Sequence, residues 1–154
     1  MPTAESTEAT EYTGHCCHGV DGSRRVMIPS EWRPDQADVK FTLIPWPIGS
    51  EDRILVLPPA RWKELRSRLA AESMSDPEVA ALETQIAANS AKVGLDKVGR
   101  MCLPEALSDT VGLKKDVELV GRLDKFEIWN PGVYAKANAE SRTMAISAFK
   151  RLRL

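Results

Sequence analysis

The sequence predicts a protein of mixed strands and helices that is built from two copies of one structural unit. The first observation is an internal repeat, in which GLDKVGRMCLPEAL at 94–107 follows the pattern of GVDGSRRVMIPSEW at 19–32. The second is a pair of short β-prone apolar runs, RVMI and RMCL, each bounded by turn residues and proline. The third is a set of segments whose apolar residues recur at helical spacing.

The repeat keeps a constant offset of 75 positions and then drifts. Four residues are identical at that offset: Gly19 and Gly94, Asp21 and Asp96, Arg25 and Arg100, Pro29 and Pro104. Further on, DVKFTLI (38–44) resembles DVELVG (116–121), and RILVLPPARW (53–62) resembles KFEIWNPGVY (125–134). Each copy therefore predicts the same order of elements. A strand leads into a polar turn carrying Asp-x-x-x-Arg, a second strand ends at proline, a short helical or turn segment follows, and two more strands precede a proline and an amphipathic helix.

Three longer helices are predicted, each with a proline suited to a first turn. The first is PARWKELRSRLAAE, with an apolar stripe of Trp62, Leu65 and Leu69. The connecting helix is capped by Ser75 or Asp76, and we expect its buried side to be Val79, Leu82 and Ile86. The last begins at NPGVY, with Tyr134 in the place of Trp62, and its basic end FKRLRL is expected to be loose. The four tryptophans lie in apolar runs or on helix faces, which favours packing over base stacking.

The stretch HCCH at 15–18 contains four side-chain types that bind zinc, but its spacing is unlike a zinc site. Zinc ligands usually come in pairs separated by two to four residues, with a second pair elsewhere. In a strand, His15 and Cys17 share one face and Cys16 and His18 share the other. Cys102 is the only other cysteine. We therefore predict no metal, and expect a half-buried strand in which small thiols pack as apolar groups.

Composition excludes several function classes. Hydrophobic residues make up 43% and charged residues 28%, which is typical of a globular protein, and the net charge of -1 means that any basic surface must come from local clustering. We expect no secretory signal in the acidic, hydroxyl-rich opening residues and no membrane span. There is no Gly-rich phosphate loop, nucleophile elbow or HExxH motif, so we expect neither an enzyme nor a small-molecule substrate, and no cofactor.

The two repeats resemble those of the MraZ family of bacterial transcriptional regulators. The segment LDKVGRMCLPEALSDTVGLKKDVELVGRLDKFEIWNPGVY resembles the second repeat of that family almost throughout. VDGSRRVMIPSEWRP resembles the start of the first repeat, and DRILVLPPARWKEL its later half. The resemblance covers about residues 13–140. Two copies of Asp-x-x-x-Arg in matching context are more specific than either copy alone.

The resemblance implies an α+β fold of the AbrB type, in which tandem swapped hairpins interleave into a small barrel-like body with amphipathic helices. It implies an N-terminal disordered tail at 1–12, a first repeat at 13–74, a second repeat at 75–140 with its connecting helix at 75–93, and a C-terminal helix or basic tail at 141–154. It also implies a homo-oligomeric ring that binds double-stranded DNA at short repeated motifs upstream of division and cell-wall genes, and hence a cytoplasmic, nucleoid-associated protein. Its DNA-binding residues would be Asp21, Arg24, Arg25, Asp96, Lys97 and Arg100.

Arginine suits this role because its planar fork can grip a phosphate or a guanine edge with two hydrogen bonds. Arg33 could add a phosphate contact. The first turn departs from the family, whose usual turn is Asp-x-x-Gly-Arg, because it has Arg24 where the second turn has Gly99. We expect Arg24 to strain or reshape that turn, or Gly22 to take over the tight position. The alternatives are an oligomeric scaffold of the same fold that has lost DNA binding, and a small metal sensor using 15–18.

Overall fold

The structure is a computed structural model, and it describes residues 10–154. Within these residues, eight strands and four α-helices follow one another. The strands are β1 (His15–Gly19), β2 (Arg25–Met27), β3 (Lys40–Trp46), β4 (Arg53–Leu57), β5 (Ala91–Gly94), β6 (Arg100–Cys102), β7 (Asp116–Gly121) and β8 (Phe126–Trp129). The helices are α1 (Pro59–Ala70), α2 (Pro77–Asn89), α3 (Glu105–Thr110) and α4 (Pro131–Leu152), and a 3₁₀ turn spans Ser30–Trp32.

The two repeats exchange strands. A six-stranded antiparallel sheet has the order β1-β7-β8-β4-β3-β5, and β2 and β6 form a separate two-stranded antiparallel ribbon. The first strand of the first copy thus pairs with β7 of the second copy, and β5 of the second copy pairs with β3 of the first. The β4–β8 and β2–β6 pairs also join the copies. The α+β class and the exchange expected of a swapped-hairpin protein are confirmed.

The main core lies between the sheet and the ribbon. Alternate residues of the sheet strands face it, because successive side chains on a strand point to opposite sides. Its fully buried members include Phe41, Leu43, Ile54, Val56, Leu119, Phe126 and Ile128 from the sheet and Val26, Ile28, Met101 and Leu103 from the ribbon and its ends. The ribbon is therefore fixed to the sheet through its apolar face, and its other face is left outward.

The opposite face of the sheet carries helices α1 and α2. Ile44, Leu55 and Leu57 pack there with Ile86 of α2, and α1 adds its predicted stripe of Trp62, Leu65 and Leu69. Asp76 caps α2 by accepting from the backbone N–H groups of Glu78 and Val79 at 2.9 and 3.4 Å. The expectation that Leu82 is buried was wrong. Val79 is half-buried, and Ile86 is the one buried residue of α2. The helix packs against the sheet around Ile86 and leaves Leu82 outward.

Two segments near the ends of the described residues differ from what the sequence suggested. Tyr12, which the predicted tail included, is buried against Trp32 and Phe126 and exchanges backbone hydrogen bonds with Leu123, so only the tail residues 1–9 lie outside the described part. At the other end, α4 continues to Leu152 without a break, whereas we expected a loose basic tail. After Gly132 the helix contains neither glycine nor proline, the two residues that most disfavour a helix interior.

Trp32, Trp46 and Trp62 pack against apolar clusters, as predicted, whereas Trp129 packs against the guanidinium of Arg53 and the ring of Tyr134. Trp32 and Trp129 are buried, and Trp46 and Trp62 are half-buried against the cluster under the helices. The indole of Trp32 lies 4.9 Å from the ring of Phe126. These rings therefore do not form an exposed platform for stacked bases.

Candidate nucleic-acid interface

The first Asp-x-x-x-Arg turn is closed by a set of hydrogen bonds to one carboxylate. Asp21 Oδ1 accepts from the backbone N–H groups of Ser23 and Arg25, both at 2.9 Å. Asp21 Oδ2 accepts from Arg25 Nε at 2.8 Å. The backbone adds Arg24 N–H to the Asp21 carbonyl at 3.0 Å and Asp21 N–H to the Arg25 carbonyl at 3.0 Å. The aspartate thus shapes the turn and holds its arginine side chain at once.

The second turn repeats this network atom for atom. Asp96 Oδ1 accepts from the N–H groups of Val98 and Arg100 at 3.0 and 2.8 Å, and Asp96 Oδ2 accepts from Arg100 Nε at 2.8 Å. The backbone bonds from Gly99 N–H to the Asp96 carbonyl and from Asp96 N–H to the Arg100 carbonyl measure 3.0 and 2.9 Å. The 75-position repeat in sequence is therefore a repeat of geometry as well.

Each aspartate is held in its charged form. The backbone N–H of Arg25 is the largest cause that lowers the pKa of Asp21, and the backbone N–H of Arg100 does the same for Asp96. The arginine side chains lower the pKa of both aspartates further, because donors and positive charge favour the carboxylate. Each arginine uses only Nε in this bond, so its two terminal nitrogens, which make no hydrogen bond within residues 10–154, remain available as a fork. A fork of this kind can donate two parallel hydrogen bonds to a phosphate or to a guanine edge.

The β2–β6 ribbon places the two forks on one face. Arg25 pairs with Cys102, and Met27 pairs with Arg100, so the arginines lie at opposite ends of a short antiparallel ladder. Strand geometry separates their Cα atoms by roughly 8 Å. Val26 and Met101 between them point into the core, so Arg25 and Arg100 point outward together. An exposed two-stranded ribbon is one of the elements that the major groove of DNA admits.

The backbone at Arg24 in the first turn has the same conformation as the backbone at Gly99 in the second turn. Its φ is 61°, in the left-handed region, and Gly99 at the equivalent position has a φ of 93°. Of the two expectations for Arg24, strain is confirmed by this positive φ and reshaping of the turn is wrong. Gly22 does not take over the positive φ. Left-handed backbone is costly for a side chain, and Arg24 Nε donates to the carbonyl of Leu103 at 3.2 Å, which ties the residue down.

Three further cations surround the ribbon face. Arg24 and Lys97 are exposed within the turns, and Arg33 lies half-buried beside the second one. Within residues 10–154 none of the three has a carboxylate within salt-bridge distance, whereas Arg25 and Arg100 each have an aspartate. The structure thus brings all six predicted DNA-binding residues to the ribbon and its turns. Arg33 joins them across the fold, which no spacing in the sequence indicates.

The HCCH stretch forms strand β1 at the edge of the sheet. His15 Nδ1 lies 2.8 Å from Glu118 Oε2, and its ring packs 6.0 Å from Tyr134. Cys16 faces the core, where burial raises the pKa of its thiol, and Cys17 is exposed, so only one of the two thiols packs as expected. In the part of the chain that the structure describes, no group of three or more His, Cys, Asp or Glu side chains is arranged to hold a metal ion.

Among the described residues, no helix is both long and apolar enough to cross a bilayer.

Comparison with known proteins gives a consistent result over most of the chain. A family model described as "MraZ protein, putative antitoxin-like" matches residues 86–153. The transcriptional regulator MraZ of Phenylobacterium zucineum is 31% identical over 134 residues, which cover 87% of this chain and 84% of that protein. The protein of that name from Pseudoalteromonas translucida is 31% identical, over 77% of this chain and 79% of its own length. The one from Acetivibrio thermocellus is 28% identical over 92% of this chain and 96% of its own length.

Proposed function

Because this chain belongs to the MraZ family, whose members above are named transcriptional regulators, we propose that it is a DNA-binding transcriptional regulator. The observation that carries the proposal is the pair of Asp–Arg turns at the two ends of one exposed ribbon. Two forks held in the same way on one face suit a target that presents equivalent groups at regular spacing, as a double helix does.

The charge of the ribbon face supports double-stranded DNA as the partner. The chain as a whole carries a net charge of -1, so it has no general attraction for a polyanion. The turns and their surroundings nevertheless collect five cations, Arg24, Arg25, Arg33, Lys97 and Arg100. They face three aspartates, of which Asp21 and Asp96 are engaged in the turns and Asp35 lies beside Arg33. Each phosphate that one of these cations neutralises releases counterions and adds affinity. The role is one of binding, and we propose no catalysis, small-molecule substrate or cofactor.

Affinity then requires several copies of the chain. Few basic groups per chain give weak binding alone, and linked identical sites raise the effective concentration of each additional contact. Exposed apolar side chains on the outer helices support contacts between copies. They include Leu82 of α2 and Met144, Ile146, Phe149 and Leu152 of α4, which buries none of its residues within the described chain. We propose a closed head-to-tail ring on DNA motifs repeated about every 10 base pairs, one helical turn.

We further propose that these motifs lie upstream of a division and cell-wall gene cluster, and that the protein works in the cytoplasm at the nucleoid. The alternative of a scaffold that has lost DNA binding had two motives, the Arg24 substitution and the near-neutral net charge of -1. Since the first turn has the same hydrogen bonds as the second, the Arg24 substitution does not favour that alternative, and the near-neutral net charge is its one remaining motive.

A mobility-shift assay on the DNA upstream of the protein's own gene tests the proposal. We expect a shift that weakens as salt rises and that falls stepwise as motif copies are deleted. Light scattering should give a mass several times 17.0 kDa. The matched control is the variant R66A/R68A, which removes two exposed arginines from α1 on the other side of the sheet. Failure of the parent to bind this DNA at low salt, or tight binding to a single motif by a monomer, would contradict the proposal.

A further inference from the structure

Gly99 in the second turn is buried beneath the side chain of Arg33. A Cβ built on Gly99 would overlap the Cζ and Nε atoms of Arg33, and Gly99 is buried although it lies in a surface turn. Arg33 belongs to the first repeat and follows the 3₁₀ turn at Ser30–Trp32. The first repeat therefore supplies a guanidinium group to the turn of the second repeat.

The carbonyl that Arg33 binds identifies its counterpart in the first turn. Arg33 Nε donates to the carbonyl of Ile28 at 2.9 Å, and Arg24 Nε donates to the carbonyl of Leu103 at 3.2 Å. Ile28 and Leu103 are equivalent residues of the two repeats, 75 positions apart. Their N–H groups are equivalent too, since Ile28 N–H donates to the Gly99 carbonyl and Leu103 N–H to the Arg24 carbonyl. Arg24 and Arg33 thus place guanidinium groups on equivalent carbonyls, although the two arginines occupy different positions of the repeat.

The residues at the other two equivalent positions explain why both arginines come from one repeat. Position 108, equivalent to Arg33, is a buried serine, which is too short to cover the first turn. Position 99, equivalent to Arg24, is a glycine, which leaves room for Arg33 to cover the second turn. Arg24, which replaces the usual glycine of the first turn, therefore supplies the guanidinium that Ser108 cannot supply. Each turn is covered by one guanidinium group.

These two guanidinium groups differ in charge balance from the forks of Arg25 and Arg100. Each fork is paired with an aspartate, but Arg24 and Arg33 spend Nε on a neutral carbonyl and have no carboxylate partner in residues 10–154. Arg33 also lines an open groove of about 330 Å³ together with Lys97, Gly99 and Asp96, the last of which is engaged by Arg100. Asp35 lines the groove as well. Nη2 of Arg33 donates to Met27 Sδ at 3.3 Å, and Nη1 makes no hydrogen bond within residues 10–154. A guanidinium without a carboxylate partner beside such a groove suits a phosphate, which carries its own negative charge.

We propose that Arg33 is a phosphate-binding residue, and that Arg24 and Arg33 form a pair that contacts DNA phosphates on either side of the forks of Arg25 and Arg100. This inference rests on the proposed function and assigns different DNA contacts to the two kinds of arginine. The aspartate-held forks read base edges, and the unpaired arginines bind the backbone. Phosphate contacts set register and affinity without carrying sequence information.

The test is the salt dependence of binding, measured for an upstream duplex and for an unrelated duplex, with the variants R24Q and R33Q. Each phosphate contact contributes about 0.9 to the slope of log affinity against log salt, so each variant should lower the slope by about that amount per protomer seated on the DNA. If the variant and the parent bind alike at 1 M salt, binding at 0.1 M should weaken about eightfold for each protomer seated on the DNA, because 0.9 of a decade is lost over that tenfold range of salt. The loss should be equal for both duplexes. R33K should keep the parent slope, since lysine also serves phosphate as a point charge.

The control is R68Q, which removes the same charge from an exposed site on α1 and should leave the slope unchanged. If R33Q weakens binding and lowers the melting temperature with the slope unchanged, Arg33 only covers Gly99 and the proposal is wrong. If R33Q changes the preference between the two duplexes, Arg33 reads bases and the assignment of different DNA contacts is wrong. A parent protein without salt-dependent binding to either duplex would overturn the proposed function itself.

Discussion

The two Asp-x-x-x-Arg turns reach one geometry with different residues. The second has Gly99 at the position of positive φ and is covered by Arg33 from the other repeat, whereas the first has Arg24, which adopts the same backbone region and covers its own turn. Their aspartate networks nevertheless agree to within 0.2 Å at each equivalent bond. In a duplicated fold, a change that looks disruptive in one copy can thus be matched by a change in the other.

If the turns are functionally equivalent, the largest effects should come from the two forks and should be similar. We expect Arg25→Ala and Arg100→Ala each to weaken specific DNA binding by about 1–3 kcal/mol per contacted site, because each removes a bidentate donor. Fluorescence anisotropy on a duplex with the repeated motifs measures the dissociation constants. A variant that binds like the parent while the other loses more than tenfold would show that only one turn contacts DNA.

The free energy of unfolding should depend on the residue at the positive-φ position, which differs between the two turns. Gly99→Ala forces a side chain into positive φ and displaces the guanidinium of Arg33, so we expect it to lower the free energy of unfolding by about 1–2 kcal/mol. Arg24→Gly relieves a left-handed arginine but loses a hydrogen bond and gains unfolded-state entropy, so we expect a net change below about 1 kcal/mol. Urea denaturation measures both. Equal effects of the two substitutions would refute the covering role assigned to Arg33.

Acid should weaken both turns in the same way. The pKa of Asp21 and that of Asp96 are lower in the folded protein than in the unfolded chain, so their contribution to stability is present above about pH 3.9 and is lost as pH falls through the folded values. We expect Asp21→Asn and Asp96→Asn each to flatten the fall in stability between about pH 4 and pH 2. Urea denaturation across that range checks this, and a parent-like acid dependence in both variants would contradict it.

The first strands of the two repeats give the smallest expected effect. HCCH in β1 occupies the place that SAKV, residues 90–93, occupies before Gly94, and His15 is already engaged with Glu118. We predict no stoichiometric metal and no change in melting temperature with chelator, because a zinc-stabilised fold would unfold without its ion. Elemental analysis of the purified protein measures the content. One zinc per chain, lost together with structure, would overturn this prediction.

Much of the fold was predictable because the sequence signals are local. Strands bounded by turn residues, a proline in a first helical turn and the cap at Asp76 each depend on a few neighbouring residues. The Asp–Arg pairing within each turn was predictable for the same reason, since its partners are four residues apart. Features that depend on contacts between distant segments were not. Leu82 stays outward because α2 packs against the sheet around Ile86, and Tyr12 is ordered through Leu123.

The site was predictable only in part, because one of its contacts joins distant segments. The six residues of the turns follow from the repeat and from the family resemblance, and the structure gathers them on one ribbon. That Arg33 covers Gly99 depends on the exchange of strands, which places the end of one repeat beside the turn of the other. The sequence does carry one signal for this contact. It is seen when positions 24, 33, 99 and 108 are compared together, because the first repeat has arginine at both of its positions and the second repeat has glycine and serine.

The central claim is that the two aspartate-held forks bind double-stranded DNA, and the most direct test is the dissociation constant of the double variant R25A/R100A on the upstream duplex. We predict binding weaker than the parent by about 2 kcal/mol or more, since two bidentate contacts are lost. The melting temperature and the oligomeric mass should stay close to those of the parent, because both side chains point outward. The control R66A/R68A should bind like the parent. A double variant that keeps the parent affinity would contradict the claim.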